Sequence, residues 1–213
     1  MQIELKGVGK KFNQDWIFRN VNFTFPAKSV SAILGRNGSG KSTLLQLVAG
    51  NLTPTAGTVT YSFNGNSIPA DEVFTNICMS APYLELVEDF TLREMVKFHF
   101  SFKGYLPGID HQILTEILGF KTSGSKQIRQ FSSGMKQRVK LALTILSNVP
   151  LILLDEPTMN LDQEGIAWYL DLIRQYSVDR TIIICSNLHQ TESAFAGNVI
   201  KVEDYKGQGY ATK

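Results

Sequence analysis

The segment from Ser29 to Gly50 constrains the fold more than any other part of the chain. It reads SVSAIL, then GRNGSGKS, then TLLQLVAG. A short apolar strand pattern thus runs directly into a glycine-rich loop, and the residues after the loop have the apolar spacing of a helix. The loop matches GxxxxGK[ST] in full and lies between a strand and a helix, which is the context that this motif requires. The segment therefore predicts a phosphate-binding loop in an α/β sheet.

Each part of the loop has a predicted role toward a nucleotide and Mg²⁺. The glycines allow backbone amides to turn inward around phosphates, and the N-terminus of the helix that begins near Lys41 adds partial positive charge. Lys41 is expected to reach the β- and γ-phosphates, and the Ser42 hydroxyl is expected to ligate Mg²⁺. The full set of predicted phosphate-loop residues is Gly35, Arg36, Asn37, Gly38, Ser39, Gly40, Lys41, Ser42 and Thr43.

The apolar run LILLDE supplies candidates for metal binding and base catalysis. A buried strand over Leu151–Leu154 would deliver Asp155 to its C-terminal end, where α/β sheets bind ligands. Asp155 is predicted to hold the hydration shell of Mg²⁺. Glu156 leaves the strand with a different direction and is predicted to act as general base toward the attacking water. The alternative is an ordinary charged strand end.

Composition narrows the class of protein. The 213 residues fit one large domain or two small ones, and the 43% hydrophobic content is enough for a substantial core. The net charge of +2 is near neutral and the basic residues are scattered, so no nucleic-acid partner is expected. Cys78 and Cys185 lie in apolar runs and are expected to be buried free thiols. No signal peptide and no apolar run of about 20 residues is evident, which favours a cytosolic chain.

Strand and helix patterns alternate along the chain and favour a mainly parallel sheet flanked by helices. The block from about Pro82 to Leu146 is predicted to be an all-helical insertion, with a capping box at Thr91–Glu94. Further predicted elements are strands over residues 2–8, 21–25, 181–185 and 199–202, and helices over 110–118, 165–176 and 191–196.

The run from Phe131 to Asp162 resembles one family in particular. Residues 131–135, FSSGM, resemble the LSGGQ signature of the ATP-binding subunits of ABC transporters in a variant SSGM form. Residues 160–162 resemble the D-loop of the same family, and the likeness covers essentially the whole chain. It implies an α/β fold with a P-loop NTPase core and a mainly parallel sheet. It also implies an N-terminal antiparallel β subdomain, and a single ATP-binding domain over 1–213 with a helical subdomain inserted at about 82–146.

The resemblance also implies ligands, partners and site residues. Phe12, 29 residues before Lys41, would stack on the adenine of ATP, although core packing is the alternative. Ser132, Ser133, Gly134 and Asp162 would face the ATP held by another copy, so a homodimer or cassette dimer with two ATP molecules is expected. For the serine turn alone, an ordinary helix N-cap is the alternative. A separate integral membrane permease is the expected partner, at the inner face of the cell membrane.

Two positions depart from the family pattern. The family's glutamine on the loop that enters the helical block would fall at about Pro82, yet no Gln occurs between Gln46 and Gln112. Water or Glu85 are the candidate substitutes. The family's histidine falls at Asn187, and His189 comes two residues late. Asn187 is expected to hydrogen-bond a γ-phosphate oxygen without carrying a titratable charge. We therefore expect intact ATP binding and dimerisation, with hydrolysis slower than is typical of the family.

Three functions compete at this point. The favoured one is an ATPase subunit that powers transport by a separate permease. A soluble ABC protein that acts on nucleic acid or ribosomes is a second, although the chain has neither long coiled coils nor a second cassette. The third is an ATP-dependent interaction module with weak hydrolysis, which the two departures favour and the retained Glu156 opposes.

Overall fold

The computed structural model describes residues 1–120, 126–187 and 195–206. The strands are β1 (Gln2–Phe12), β2 (Asp15–Phe25), β3 (Val30–Leu34), β4 (Ala56–Phe63), β5 (Asn66–Ile68), β6 (Ile77–Ser80), β7 (Leu151–Asp155), β8 (Thr181–Ser186) and β9 (Asn198–Lys201). The α-helices are α1 (Lys41–Val48), α2 (Leu92–Lys103), α3 (His111–Leu118), α4 (Ser133–Ile145) and α5 (Gln163–Tyr176). Short 3₁₀ helices cover Val73–Asn76, Ile128–Gln130 and Val202–Tyr205.

A parallel sheet with strand order β6-β7-β8-β3-β9 positions the candidate site. Because the strands are parallel, the carboxyl ends of β3, β7 and β8 lie at one edge. Gly35 follows β3, Glu156 follows β7, and Asn187 follows β8 at that edge. The topology therefore brings together three segments that are far apart in the sequence, and the predicted mainly parallel sheet is confirmed.

A second, antiparallel sheet has the order β2-β1-β4-β5 and confirms the expected N-terminal β region. β1 pairs with β2 from Ile3 opposite Phe25 to Phe12 opposite Asp15. The strand predicted over 21–25 is thus the second half of a longer one. β4 and β5 are joined at Asn64 and Gly65, both with positive φ, as a two-residue hairpin turn requires.

The parallel sheet separates two hydrophobic cores, and β7 faces both. Its five residues are all buried, and successive side chains point to opposite faces of the sheet. Leu151 and Leu153 pack in the core that includes Leu44 and the buried residues of the antiparallel sheet. Ile152 and Leu154 pack in the core formed with α2, α3, α4 and α5. This two-sided burial explains why the run LILL carries no polar residue.

Between β6 and β7, the regular elements of the described residues are helices, as the sequence predicts. The capping box exists: the Thr91 hydroxyl accepts from the Glu94 amide at 3.3 Å, and the Thr91 amide donates to the Glu94 carboxylate at 2.8 Å. The Asp110 carboxylate caps α3 by accepting from the Ile113 amide at 2.8 Å. The domain bounds 1–213 and 82–146 stay predictions.

Some expectations need correction or fall outside the described residues. β6 was not recognised in the sequence, because a run of four residues carries little periodicity. The last strand ends at Lys201, and Val202 begins a 3₁₀ helix. Most of the helix expected over 191–196, and His189, lie outside the described residues. Cys78 and Cys185 are both buried, as predicted. Within the described residues, no helix has the length and apolar character of a membrane span.

Candidate active site

The glycine-rich loop leaves the N-terminus of α1 open. Gly40 precedes the helix with φ 107°, and no side chain caps the first amides. A side chain at Gly40 would place its Cβ 2.4 Å from the Ile17 Cγ2 atom, so both the backbone angle and the space require glycine. The free amides and the helix dipole make this end an anion site. A cavity of about 340 Å³ lies here, lined by Ile17, Asn37, Gly38, Gly40, Lys41, Ser42, Thr43 and Glu156.

Lys41, Asn187 and Glu156 form one hydrogen-bonded group at this cavity. The Lys41 ammonium donates to the Asn187 Oδ1 atom and to the Arg36 carbonyl, the latter at 3.2 Å. The Asn187 Nδ2 atom donates to the Glu156 Oε1 atom at 2.8 Å, and that oxygen lies 3.9 Å from the Lys41 Nζ atom. Asn187 therefore bridges a cation that is only 4% exposed and the candidate base.

The backbone at the end of β7 separates two neighbouring carboxylates. Asp155, the last residue of the strand, is buried. Glu156 has φ 47°, a conformation that costs energy for a residue with a side chain, and its amide donates to the Cys185 carbonyl at 3.1 Å. The chain thus leaves the strand at Glu156, which is half-buried where Asp155 is buried.

The signature residues line a different cavity of about 360 Å³. Its walls are Phe120, Ser132, Ser133, Gly134, Met135, Arg138, Asn160, Leu161 and Asp162. The Ser132 hydroxyl accepts from the Met135 amide at 3.2 Å, and the Asp162 carboxylate accepts from the Gly165 amide at 2.7 Å. Both residues are therefore helix N-caps, of α4 and α5. Ser133, one residue into α4, is exposed and projects from the same helix end.

The two cavities share no lining residue among those described, but one buried hydrogen bond joins the helix that begins at one cavity to the segment that follows the other. The side-chain amide of Gln137, in α4, donates to the carbonyl of Pro157 at 2.9 Å. Pro157 directly follows Glu156. The helix that begins at the signature is thus tied to the loop that carries the candidate base.

Comparison with known proteins identifies the family. The family described as "ABC transporter" matches residues 18–159, which is more than half of the chain. The chain belongs to the ABC transporter family. It is an ATP-binding protein of the ABC ATPase type.

Several curated relatives match most of the chain. An ABC transporter ATP-binding protein YtrE of Bacillus subtilis is 30% identical over 203 residues, which cover 90% of this chain and 87% of the relative. The lantibiotic transport ATP-binding protein SrtF of Streptococcus pyogenes is 27% identical, with 96% and 92% covered. An uncharacterized ABC transporter ATP-binding protein YybJ of Bacillus subtilis is 28% identical, with 89% and 87% covered.

Solved structures confirm the fold. A putative ABC transporter ATP-binding protein from Pyrococcus furiosus superposes with a TM-score of 0.80 at 22% identity, covering 97% of this chain and 100% of that one. The dimeric structure of MJ0796, described as a bacterial ABC transporter cassette, gives 0.77 at 24% identity with 93% of each chain covered. An Atm1-family ABC exporter with ATP bound gives 0.78 at 20% identity, covering 94% of this chain and 36% of that one.

The donor chemistry of this ABC ATPase suits Mg²⁺ held together with phosphates. Ser42 lies in the first turn of α1 and offers a hydroxyl oxygen, and Asp155 offers carboxylate oxygens at the same edge of the sheet. Mg²⁺ prefers oxygen ligands, keeps several waters, and is commonly bound through one or two protein groups plus substrate phosphates. Ser42 and Asp155 are the residues that would hold it.

Tyr83 occupies the region where the ABC family's glutamine is missing, and sequence reasoning did not find it. Burial raises the pKa of the Tyr83 hydroxyl to about 12, while a hydrogen bond with the Gln46 side chain acts in the opposite direction and the nearby Asp155 carboxylate raises it further. Gln46 lies one turn after Ser42 on α1, so the two side chains share a helix face. Tyr83 thus interacts electrostatically with Asp155, one of the two predicted metal residues.

Glu85, the candidate side-chain substitute for the missing glutamine, lies in a different cavity from Lys41. It lines a space of about 140 Å³ with residues of α2 and α4, among them Lys140. Burial lowers the pKa of the Lys140 ammonium, and the Glu85 carboxylate counteracts this. Glu85 therefore faces a cation of the helical segment.

Phe12 lies at the end of β1 with its side chain 47% exposed, so core packing does not explain it. The Lys10 ammonium lies 5.2 Å from the centre of its ring. Phe12 is absent from the described lining of the phosphate-loop cavity. Stacking of this ring on adenine stays a prediction.

Proposed function

We propose that this chain is the ATP-hydrolysing subunit that powers transport through a separate membrane permease, acting as a dimer with two ATP and Mg²⁺ at the interface. The observation that carries the proposal is the division of predicted ATP contacts between two cavities. Lys41, Ser42 and Glu156 line one, while Ser133 and Gly134 line the other. Two copies in opposite orientation would bring each cavity against the other kind, as an isologous dimer requires.

Within one site, the residues have distinct roles. Lys41 binds the β- and γ-phosphate oxygens, which take the place that the Asn187 Oδ1 atom holds on its ammonium. The Asn187 Nδ2 atom keeps the Glu156 carboxylate oriented. Glu156 accepts a proton from water as the water oxygen bonds to the γ-phosphorus, and the bond between that phosphorus and the β–γ bridging oxygen breaks to release ADP. Mg²⁺ held by Ser42 and Asp155 would offset the negative charge of the phosphates.

The signature contributes from the second chain. The exposed Ser133 and the N-terminal amides of α4 present a positive helix end to the γ-phosphate held by the partner. Gly134 suits the close approach of α4 to the loop at 157–162, because a Cβ there would lie 3.0 Å from the Asn160 carbonyl oxygen, which is tighter than most contacts of a Cβ atom.

A mixing experiment tests this composite site. Lys41→Ala removes the phosphate contact, and Ser133→Glu places a negative charge against the partner's ATP, so each variant alone should lose ATPase activity. In a dimer of one chain of each kind, one site combines an intact phosphate loop with an intact signature. Mixing should therefore restore turnover. If both variants are inactive and the mixture is inactive too, although mixed dimers form, the composite site is wrong.

An exposed aromatic patch supports a membrane-protein partner at the inner face of the cell membrane. The patch comprises the exposed Phe74, Phe98 and Phe102 together with the half-buried Phe90, and Phe102 is 71% and Phe74 is 63% exposed. The rings of Phe90 and Phe98 lie 5.6 Å apart, and those of Phe98 and Phe102 lie 5.2 Å apart. The Lys103 ammonium donates to the Phe74 carbonyl at 2.6 Å, which places Phe74 beside the end of α2. Exposed aromatic clusters mark interaction sites.

Co-purification with membranes tests the patch. Phe102→Asp should release the chain from the membrane fraction of its native cell while ATP binding persists. Phe63→Asp is the matched control, because Phe63 is an exposed phenylalanine on the antiparallel sheet. If Phe102→Asp stays with the membrane fraction as the wild type does, the patch is not the docking surface. Nucleic acid bound to the purified wild type would favour the alternative soluble function.

A further inference from the structure

A carboxylate packs against the backbone at the start of the phosphate loop. Glu203, in the 3₁₀ helix Val202–Tyr205 that follows β9, accepts a hydrogen bond from the backbone amide of Arg36 at 2.6 Å. Hydrogen bonds to a charged acceptor are shorter and stronger than neutral ones. The bond joins residues 167 positions apart in the sequence, and no motif in the sequence indicates it.

Arg36 links Glu203 to two other residues of the phosphate loop. Its carbonyl accepts from the Lys41 ammonium at 3.2 Å and from the Ser39 amide at 3.0 Å. Glu203 therefore holds the amide side of Arg36, while Lys41 and Ser39 hold its carbonyl side. The amide and the carbonyl belong to the two peptide planes that flank the Arg36 Cα atom, so these bonds together restrain the backbone on both sides of that atom.

The first glycine of the loop makes room for the contact. A Cβ at Gly35 would lie 2.9 Å from one Glu203 carboxylate oxygen, 3.1 Å from the other, and 2.4 Å from the Ser39 hydroxyl. These separations are shorter than normal carbon–oxygen contacts. The Glu203 carboxylate thus packs against the loop backbone in space that any other residue at position 35 would fill.

The charge of Glu203 has the wrong sign for a phosphate ligand. A carboxylate near bound phosphates repels them, so its value to the site must come from the hydrogen bond and not from its charge. The adjacent Asp204 is exposed, and within the described residues no hydrogen bond joins its side chain to the loop. The contact is specific to the Glu203 side chain.

We propose that Glu203 is a positioning residue of the ATP site. Its hydrogen bond holds the backbone of Arg36 in place, and the Arg36 carbonyl in turn holds the Lys41 ammonium. The inference rests on the proposed role of Lys41 in phosphate binding. It assigns to the 3₁₀ helix after β9 a function in ATP affinity.

Calorimetric titration with ATP tests this assignment. Glu203→Ala should weaken ATP binding about tenfold, because a lost hydrogen bond to a charged group has effects of that order. Glu203→Gln keeps an acceptor oxygen and removes the repulsive charge, so its affinity should stay within about threefold of wild type. Asp204→Ala is the matched control and should bind ATP as the wild type does.

Two further variants keep the outcome decisive. Lys41→Ala should lose ATP binding; if it binds normally, the proposed role of Lys41 fails. If Lys41→Ala loses binding while Glu203→Ala binds normally, only the inference about Glu203 is wrong. If Glu203→Ala does not fold, Glu203→Asp replaces it, because the shorter side chain withdraws the carboxylate from Arg36 while keeping the charge. Normal ATP affinity in a folded Glu203→Asp would then overturn the inference, and weakened affinity with normal Glu203→Gln binding would support it.

Discussion

The phosphate-loop cavity and the signature cavity differ in how far the chain completes them by itself. In the first, Lys41 is 4% exposed and bonds to Arg36 and Asn187, while Asn187 also holds Glu156. In the second, Ser133 is exposed at a helix N-terminus, and Ser132 bonds only to the backbone of its own first turn in the described contacts.

The difference has a physical cause. A buried ammonium without partners is costly, so the chain must supply acceptors for Lys41 before any nucleotide binds. The N-terminus of α4 is exposed, and water can satisfy its amides at little cost until an anion arrives. The phosphate-loop cavity is therefore held by internal bonds, whereas the helix end at the signature cavity would, in the proposed dimer, receive a group from outside the chain.

The largest expected effect comes from removing Glu156, the candidate base, from the phosphate-loop cavity. Glu156→Gln removes the proton acceptor but keeps a hydrogen-bonding side chain for Asn187. Turnover should fall by about 100-fold or more, since general base catalysis contributes that much, while ATP still binds. Steady-state phosphate release measures it, with the exposed Glu72→Gln as control. Unchanged turnover would show that Glu156 is not the base.

The next-largest effect concerns Ser133 in the signature cavity, where one substitution should weaken ATP-dependent dimerisation without lowering the melting temperature. Ser133→Glu places a negative charge at a helix N-terminus, where it should preserve or slightly raise the melting temperature. The same charge should repel the partner's γ-phosphate and weaken ATP-dependent dimerisation by about tenfold or more. Light scattering and thermal melts measure the two quantities, and Ser133→Gln controls for size. If Ser133→Glu dimerises normally with ATP, the signature does not face a phosphate.

The junction that holds the helical segment to the parallel sheet should weaken in acid. The His99 Nε2 atom lies 2.8 Å from the Ser147 hydroxyl, which itself donates to the Leu143 carbonyl, so neutral His99 is the donor to Ser147. Burial lowers the pKa of His99 to about 4. Between pH 6.5 and about pH 4, His99 therefore binds a proton in the unfolded chain but not in the folded chain.

The contribution of neutral His99 to the free energy of unfolding should therefore be fully present above pH 6.5, and about 3 kcal/mol of it should be lost as the pH drops through this window. Urea denaturation at neutral and mildly acidic pH measures it. His99→Gln should reduce the slope, and an equal slope in that variant would assign the pH dependence to other groups.

The smallest expected effect concerns Asn187, which joins the base to the lysine. Asn187→His should raise turnover by about threefold or more if the amide limits hydrolysis, because histidine can carry charge near the γ-phosphate. Asn187→Ala is the companion variant and should lower turnover, since it releases Glu156. Single-turnover kinetics with saturating ATP distinguish the two. If Asn187→His turns over no faster than the wild type, Asn187 does not limit hydrolysis.

Much of the candidate site could be predicted because its residues sit in short local patterns. The loop from Gly35 to Ser42 follows one strand pattern, and Asp155–Glu156 ends another. The serine turn begins a helix. A few neighbouring residues are therefore enough to indicate each feature. Tyr83 and Glu203 could not be found in this way. Tyr83 reaches Gln46 and Asp155 from a loop without regular structure, and Glu203 reaches Arg36 from the far end of the described chain.

The sequence by itself was enough to indicate the family and to predict the phosphate loop, the two carboxylates and the signature-like serine turn, because each depends on backbone conformations that neighbouring residues impose. Only the tertiary structure decided which of these meet. Parallel strand order brings Lys41, Glu156 and Asn187 to one edge, places Glu203 behind the loop, and puts Ser133 in a separate cavity. The physical reason is that sheet pairing acts between segments far apart in the chain, whose side-chain contacts no local pattern records.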